Sequence, residues 1–207
     1  MTPAGPPASA AAPVRRRLEP DERRKELLDA ALEVLRQKGP PECRVADITT
    51  AAGTAKGNFY RYFDSFDDLL VGVRDHLLDR YRREVERRLE ARGDAPDWWE
   101  VLDTEIDAFL DFQADLGPLH DVAFHSDAAS SQPIEPDRSA GALIAAFLQA
   151  GIDDGSFAAV DVDATAALLF HVLHGAADQI AAGDDPERTR EAARHLITST
   201  LRRSRTT

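Results

Sequence analysis

Apolar residues recur every three or four positions along most of this 207-residue chain, and this spacing is typical of amphipathic helices. The first clear case is residues 21–39, where one apolar face is formed by Leu27, Leu28, Ala31, Val34 and Leu35. No segment of useful length alternates polar and apolar residues, so the β-sheet content should be near zero. The pattern therefore predicts an all-α fold in which each helix buries one face.

Glycine and proline residues divide this helical pattern. Gly39, followed by Pro40 and Pro41, ends the first helix, because glycine suits a left-handed cap and proline cannot continue the helix. A long helix is expected from about residue 66, and the Gly, Pro and Asp residues of segment 92–97 interrupt its periodicity. Further helices are expected at about 98–113, 117–126, 139–155, 163–183 and 186–203.

The same glycine and proline positions divide the chain into three predicted parts. Residues 1–20 read as a disordered Pro/Ala tail that ends in a basic cluster. We call residues 21–81 the head and residues 82–203 the body, and the long helix should link them. A short Gly-centred motif at about residues 44–63 lies within the head.

Charge is distributed unevenly between these parts. The net charge is −12, yet residues 1–63 carry eleven Lys/Arg against eight Asp/Glu, whereas residues 93–207 carry seven against twenty-one. Duplex DNA attracts basic surfaces, because affinity comes largely from phosphate neutralisation. The head is therefore the only part expected to meet phosphate. The acidic body would either keep non-specific binding weak or simply confer solubility.

Cellular location has three signals. No apolar run approaches the roughly 20 residues needed to cross a bilayer. The basic cluster follows the Ala/Pro stretch, which is the reverse of the order in a secretory signal. The single cysteine, Cys43, cannot form an internal disulfide. Together these features predict a cytoplasmic protein without a membrane segment.

The most informative stretch is Arg44 to Phe63, in which two short helices flank a turn at Gly53. This is the spacing of a helix-turn-helix, whose second helix places its N-terminal residues in the major groove. A helical hairpin with solvated polar residues is the alternative on spacing alone. The residues expected to face inward are Val45, Ile48, Ala52, Phe59 and Phe63.

The remaining side chains of the motif are candidates to contact double-stranded DNA. Lys56 offers a phosphate or guanine contact, Asn58 can pair bidentately with adenine, and the Tyr60 hydroxyl can reach a phosphate. Gly57 has no side chain, so the backbone there can approach the groove closely. The full set of candidates is Arg44, Thr49, Thr54, Lys56, Gly57, Asn58, Tyr60 and Arg61.

The string Ala-Ala-Gly-Thr-Ala-Lys-Gly-Asn-Phe-Tyr-Arg-Tyr-Phe at residues 51–63, with Asp-Leu-Leu soon after, resembles the signature of the TetR family of transcriptional regulators. Residues 23–39 resemble that family's first helix, and residues 151–180 resemble a late region of many members. The resemblance implies an N-terminal three-helix helix-turn-helix domain and a C-terminal helical domain for ligand binding and dimerisation. It further implies a homodimeric repressor that a small-molecule effector releases from a palindromic operator.

Two positions depart from the family pattern. Phe66 stands where members often carry a phosphate-binding Lys, and Ala46 stands where an Arg is frequent. Arg44 and the tail arginines at 15–17 are candidates to compensate for the missing contacts. These departures leave an alternative open, namely a ligand-binding or protein-binding module of the same fold that has weakened or lost DNA binding.

Six histidines raise the question of a metal site. His120 and His125 lie five apart, and His171 and His174 lie three apart on one predicted helix. Zinc sites need three or four protein ligands, and Cys43 lies in the other part, so no metal or cofactor is expected. The histidines are expected to be either a polar pocket lining or core histidines with satisfied hydrogen bonds. The candidate ligand-pocket residues are Phe109, Phe112, Phe124, His125, Phe147 and His171, with simple core packing as the alternative for each Phe.

Two further expectations concern catalysis and assembly. The chain has no Gly-rich phosphate loop, His-Glu-x-x-His motif or Gly-x-Ser-x-Gly elbow, so an enzyme is not expected. The apolar stripe of the last helix, including Leu196 and Ile197, is expected to be buried against a second copy.

Overall fold

The computed structural model describes residues 19–39, 41–93, 96–127, 134 and 139–202. The predicted tail, except for its last two residues, lies outside the described residues, and this part includes the arginines at 15–17. Every regular element within the described residues is helical, which confirms the predicted all-α fold. None of these helices is both long and apolar enough to span a membrane.

The helices follow one another with short connections. We number them in chain order and include one π-helical turn as α6. The elements are α1 (Pro20–Lys38), α2 (Val45–Ala51), α3 (Lys56–Phe59), α4 (Phe66–Glu90), α5 (Trp98–Leu116), α6 (Asp121–His125), α7 (Ala140–Asp154), α8 (Val162–Ala181) and α9 (Pro186–Leu201).

The head is a compact packing of α1, α2, α3 and the first half of α4. All five apolar residues predicted for the buried face of α1 are buried. Helix α4 approaches α1 closely at Gly72, where a Cβ atom would lie 3.0 Å from the Phe63 ring and 3.2 Å from Leu28. A side chain at this position would therefore disturb the head core.

The core of the head continues into the body. Leu116, Leu119, Val122 and Ala123 belong to the same buried cluster as the apolar residues of α1 and α4. The turn α6 thus packs on the head, although it follows the head by some forty residues in sequence. The predicted boundary at residue 81 divides the chain, but it does not divide the buried cores.

The rest of the body packs α5, α7, α8 and α9 around a second core. Phe157, Leu148 and Leu201 are almost fully buried there. Ile197 also faces this core, with only 1% of its surface exposed, so its predicted place in a dimer interface is wrong. Its neighbour Leu196 points outward and is 57% exposed, and Leu168 on α8 is 65% exposed.

Candidate nucleic-acid interface and ligand cavity

The second helix of the motif, α3, is a single turn anchored from behind. Gly53 adopts φ 59°, which permits the turn between α2 and α3. Phe59 and Phe63 are buried, with ring centroids 5.5 Å apart. The backbone N–H groups of Tyr62 and Phe63 donate to Phe59 O, so the chain keeps a helix-like turn after the end of α3. The inward-facing positions of the motif are therefore as predicted.

Four of the DNA-contact candidates lie on the open side of α3 and the turn after it. Lys56, Gly57 and Arg61 are exposed, and Tyr60 is 52% exposed. Among the described residues, no atom beyond the two chain neighbours and the helix's own backbone lies within 4 Å of a Cβ built at Gly57, so this part of the backbone faces open space in the described structure. The face combines two cations, a phenol and bare backbone, which together suit phosphate and groove contacts.

Asn58 and Thr54 form a pair at the start of α3. The Asn58 Nδ2 group donates to Thr54 Oγ1 at 2.8 Å, and both residues are half-buried. This bond holds the Asn58 amide at the N-terminal end of the helix. A bidentate contact with adenine would need both ends of the amide, so the bond to Thr54 would have to be shared or exchanged on binding.

Arg44 and Thr49 are engaged within the head. The Arg44 guanidinium donates through Nη1 to Pro41 O at 2.7 Å and to Cys43 O at 3.0 Å. Thr49 is only 4% exposed, and its hydroxyl donates to Ala46 O at 3.2 Å. This arrangement does not favour Thr49 as a DNA-contact residue, because its hydroxyl is buried and already bonded within α2.

Two titratable groups of the head have shifted pKa values. A hydrogen bond from the Lys38 ammonium, with Nζ 2.7 Å from Asp47 Oδ1, lowers the pKa of Asp47. Burial raises the pKa of the Cys43 thiol. Lys38 is therefore paired with an acid beside α2, and Cys43 behaves as a small core residue.

Phe66 at the first position of α4 packs against the head core and does not present a polar group to solvent. The Ser65 hydroxyl caps the helix by accepting from Asp68 N at 3.0 Å, and Asp67 and Asp68 occupy the first turn. These carboxylates complement the helix dipole. They also repel phosphate. The start of α4 therefore carries acidic side chains, whereas family members often have a phosphate-binding Lys there.

A cavity of about 330 Å³ lies in the body between α4, α5, α7 and α8. Two predicted pocket residues, Phe109 and Phe147, line it, and most of the other walls are aliphatic or aromatic. Its polar groups come from Tyr81, Glu86 and Glu105. A volume above about 300 Å³ with apolar walls and few polar groups is typical of a small-molecule site.

The polar edge of this cavity is held by an ion pair. Arg88 Nε and Nη2 lie 2.9 and 2.6 Å from the two carboxylate oxygens of Glu105. Hydrogen bonding to Glu105 raises the pKa of Arg88. Burial raises the pKa of Tyr81, so the phenol stays neutral. The acidic character of Glu105 is thereby largely neutralised on the cavity wall.

A second cavity, of about 310 Å³, lies on the other side of Tyr81 and Phe109. Phe112, Phe124 and His171 line it, so five of the six predicted pocket residues border one of the two spaces. Tyr81 contacts Phe109 edge-on, with ring centroids 5.8 Å apart, and Phe112 at 4.8 Å. These rings form the partition between the cavities.

His125, the sixth predicted pocket residue, lines neither cavity and lies in a polar cluster. One nitrogen each of His120, His125 and His174 and a carboxylate oxygen of Asp178 lie within 4.8 Å of one another. The sequence analysis paired His171 with His174 and did not predict that His174 lies beside His120 and His125. Asp178 was missed, although its place four residues after His174 puts both on one helical face.

Burial lowers the pKa of His174, an effect that the nearby Asp178 opposes and the neighbouring histidines reinforce. Burial therefore favours the neutral form of the His174 imidazole, which has one nitrogen lone pair that can accept.

Two family models match separate parts of the chain. The model described as bacterial regulatory proteins of the tetR family matches residues 27–73. A model described as the Tetracyclin repressor-like C-terminal domain matches residues 123–203. The first match contains the whole of the helix-turn-helix, and the second contains α7, α8 and α9 of the body.

Similar proteins include the HTH-type transcriptional repressor KstR2 of Rhodococcus jostii, strain RHA1. It is 32% identical over 156 residues, which cover 72% of this chain and 74% of KstR2. The uncharacterized HTH-type transcriptional regulator YvdT of Bacillus subtilis, strain 168, is 41% identical over 81 residues. That match covers 39% of this chain and 40% of the length of YvdT.

Solved structures of similar fold cover nearly the whole chain. A TetR-family transcriptional regulator from Pectobacterium atrosepticum is 27% identical with a TM-score of 0.68, over 92% of this chain and all of that one. Thermus thermophilus FadR, a TetR-family repressor solved in complex with lauroyl-CoA, is 25% identical with a TM-score of 0.66. That comparison covers 89% of this chain and 98% of FadR.

Proposed function

Because this chain belongs to the TetR family of transcriptional regulators, we propose that it is a homodimeric repressor that an apolar small molecule releases from a palindromic operator. The observation that carries the DNA step is the anchored helix α3. Phe59 and Phe63 hold it from behind while Lys56, Tyr60 and Arg61 stay open to a partner. A regulatory role follows from the family, and we propose no catalytic step.

The dimer step is supported by the outer face of α8 and α9. Leu168 and Leu196 are large apolar side chains that the single chain leaves more than half exposed. A second copy related by a two-fold axis would bury both leucines in a self-complementary contact. It would also present two copies of α3 on one side of the dimer, with a spacing of about 34–36 Å if they enter successive major grooves.

The effector step is supported by the larger cavity. Its walls are almost entirely apolar, and its polar edge is occupied by the paired Arg88 and Glu105. FadR, whose structure was solved with lauroyl-CoA, shares the fold. We infer that the effector places a hydrocarbon portion, such as a fatty acyl chain, between α5 and α7. Its binding would favour a state with altered head spacing and so weaken operator binding.

The DNA step is tested with genomic fragments selected by the wild-type protein. Asn58→Ala should cost about 1–3 kcal/mol on the selected operator and little on random duplex, because a base contact is lost. Gln149→Ala, which truncates an exposed amide on α7 of the body, is the matched control and should bind normally. Operator binding that is unchanged in both Asn58→Ala and Tyr60→Phe, each correctly folded, would show that α3 is not the reader.

One observation favours a second candidate function. Phe66 and the acidic first turn of α4 replace a phosphate-binding helix start, and the body is strongly acidic. A helical ligand-binding module with weakened DNA binding would fit these features. Failure of the wild-type protein to enrich any genomic fragment at low salt would select this candidate over the repressor.

The effector step has its own measurement. Lauroyl-CoA should raise the melting temperature and lower operator affinity together, since both follow from preferential binding to one state. Ala150→Leu adds a side chain inside the cavity and should abolish both effects without changing DNA binding in the absence of ligand. An equal response of the wild type and Ala150→Leu would place the ligand elsewhere.

A further inference from the structure

The polar cluster joins two elements that are distant in sequence. His120 and His125 come from the start and end of α6, whereas His174 and Asp178 lie one turn apart on α8. Asp178 Oδ1 lies 3.1 Å from His125 Nε2, 3.5 Å from His120 Nε2 and 4.0 Å from His174 Nε2. The same nitrogen of each imidazole thus points at one carboxylate oxygen.

His120 gives a second, independent sign that something binds at this point. It is only 4% exposed, and neither ring nitrogen makes a hydrogen bond with any described residue. Leaving a buried polar group without a partner is unfavourable, because the group has lost its hydrogen bonds to water. Because Nε2 is aimed at the centre of the cluster, a ligand placed there would remove this penalty.

We propose that His120, His125, His174 and Asp178 bind a divalent transition-metal ion of the Zn²⁺ class. Three imidazole nitrogens and one carboxylate oxygen are borderline donors of the kind that zinc takes in a tetrahedral site. Metal–ligand distances of about 2.0–2.1 Å place tetrahedral donors about 3.3 Å apart. The distances of 3.1 and 3.5 Å from Asp178 Oδ1 to His125 and His120 match this spacing. All four donor atoms lie within 4.8 Å of one another, so any other pair would have to close by about 1.5 Å at most.

The outer partners of the histidines support the same assignment. His120 Nδ1 lies 3.6 Å from Asp121 Oδ1, and His174 Nδ1 lies 3.5 Å from the side-chain amide of Gln113. Metal-binding histidines usually donate the other ring N–H to a carboxylate or carbonyl group. Gln113 Oε1 is buried without a hydrogen-bond partner among the described residues, so a half-turn of the amide would offer it to His174.

A network of hydrogen bonds without metal is the simpler alternative, and the geometry argues against it. His125 is placed to donate to Asp178, but His120 and His174 gain no hydrogen bond from this carboxylate. The rings of His120 and His174 lie 5.5 Å apart, and the Nε2 atom of each is near the same carboxylate oxygen as Nε2 of His125. A bound cation would give all three nitrogens a partner at once.

The position of the site gives it a structural consequence. Leu119 and Val122, on either side of His120, belong to the core of the head, whereas Leu173, beside His174, belongs to the core of the body. An ion bound by both elements would fix α6 against α8 at the junction of these cores. This inference replaces the sequence-based expectation that the histidines only provide a polar lining.

The test uses the full chain without a polyhistidine tag, treated with a chelator and then titrated with Zn²⁺ in a calorimeter. We expect one ion per chain, and Co²⁺ in place of Zn²⁺ should show the visible absorption of a tetrahedral site. Asp178→Asn and His125→Gln should each weaken Zn²⁺ binding by about tenfold or more, since even outer partners contribute about 10–100-fold. His195→Gln, an exposed histidine on α9, is the matched control and should bind like the wild type.

The two substituted side chains are partly exposed, so a loss of Zn²⁺ binding can be separated from a loss of folding. Asp178 and His125 are each about two-fifths exposed, so their replacement should leave the fold intact, as a thermal melt without metal would verify. Wild-type protein that binds no Zn²⁺ would overturn the site. So would wild-type affinity in both Asp178→Asn and His125→Gln. These measurements use no DNA, and they are therefore independent of the repressor proposal.

Discussion

The head and the body are both helical, but they differ in the kind of space that they leave open. The head has a groove of about 360 Å³ between α1 and α4 that is lined mostly by charged side chains, whereas the spaces in the body have mostly apolar walls. In the head core, Phe59, Phe63 and Leu69 fill the space between α1, α3 and α4. In the body, Phe157 and Leu201 are buried as completely, yet cavities of about 330 and 310 Å³ remain beside them. Unfilled interior space costs stability. The contrast therefore indicates that the body keeps room for a ligand while the head keeps its shape to present α3.

The two regions also differ in what they leave exposed. The head exposes Lys56, Tyr60 and Arg61 beside α3, whereas the body exposes Leu168 and Leu196 on α8 and α9. Their charges differ in the same sense, since the excess of acidic residues lies in the body. One surface suits a polyanion and the other suits a second apolar surface. A dimer that binds DNA needs both.

The contrast between the two regions predicts a large response to a change of volume in the head core and a small one in the cavity of the body. Phe59→Ala should lower the free energy of unfolding by about 3–5 kcal/mol, because it opens a void in a filled core. Ala150→Leu adds volume to the cavity of the body and should change the free energy by less than about 1.5 kcal/mol. Denaturant unfolding at one fixed protein concentration measures both. Equal destabilisation would mean that the body has no usable space.

The contrast in exposed surfaces predicts that a charge on the body removes DNA binding by the head. Leu196→Glu would bury a charge in the dimer contact and should weaken dimerisation by about 100-fold or more, which corresponds to about 3 kcal/mol. The sedimentation coefficient and the operator affinity of Leu196→Glu should both be lower than those of the wild type. Leu196→Met should retain both. A wild-type protein that is monomeric at micromolar concentration would contradict the prediction, as would full operator affinity in monomeric Leu196→Glu.

The contrast in charge predicts the smallest effect. Lys56→Ala should weaken operator and random DNA alike and reduce the slope of log affinity against log salt by about one, because one phosphate contact is lost. Arg87→Ala removes an exposed cation from the body half of α4 and should leave the slope unchanged. A loss confined to the operator would reassign Lys56 from phosphate to a guanine base.

Most of the head could be read from the sequence, because its determinants are local. The apolar spacing in α1, the turn at Gly53 and the inward residues Phe59 and Phe63 each depend on neighbours within a few positions. Exceptions arise where a side chain finds a partner that periodicity does not show. Thr49 is turned into the head, and Phe66 packs on the core in place of a phosphate contact.

The body was harder to predict, because its sites combine residues from several helices. Helical spacing placed apolar residues on the last helix but did not distinguish Ile197, which faces its own chain, from the exposed Leu196. These two side chains are adjacent and equally apolar, and a helix turns by about 100° between them. Only the position of the neighbouring helices decides which one is buried.

The sequence alone therefore determined the helical class, the helix-turn-helix pattern in the head and the family, since each depends on short-range spacing and residue type. The tertiary structure alone decided which cavity Phe109 and Phe147 share, and it brought His120 and His125 to His174 and Asp178. About fifty residues separate these two pairs in the chain. Their meeting depends on how α6 packs between head and body, and no local pattern encodes that packing.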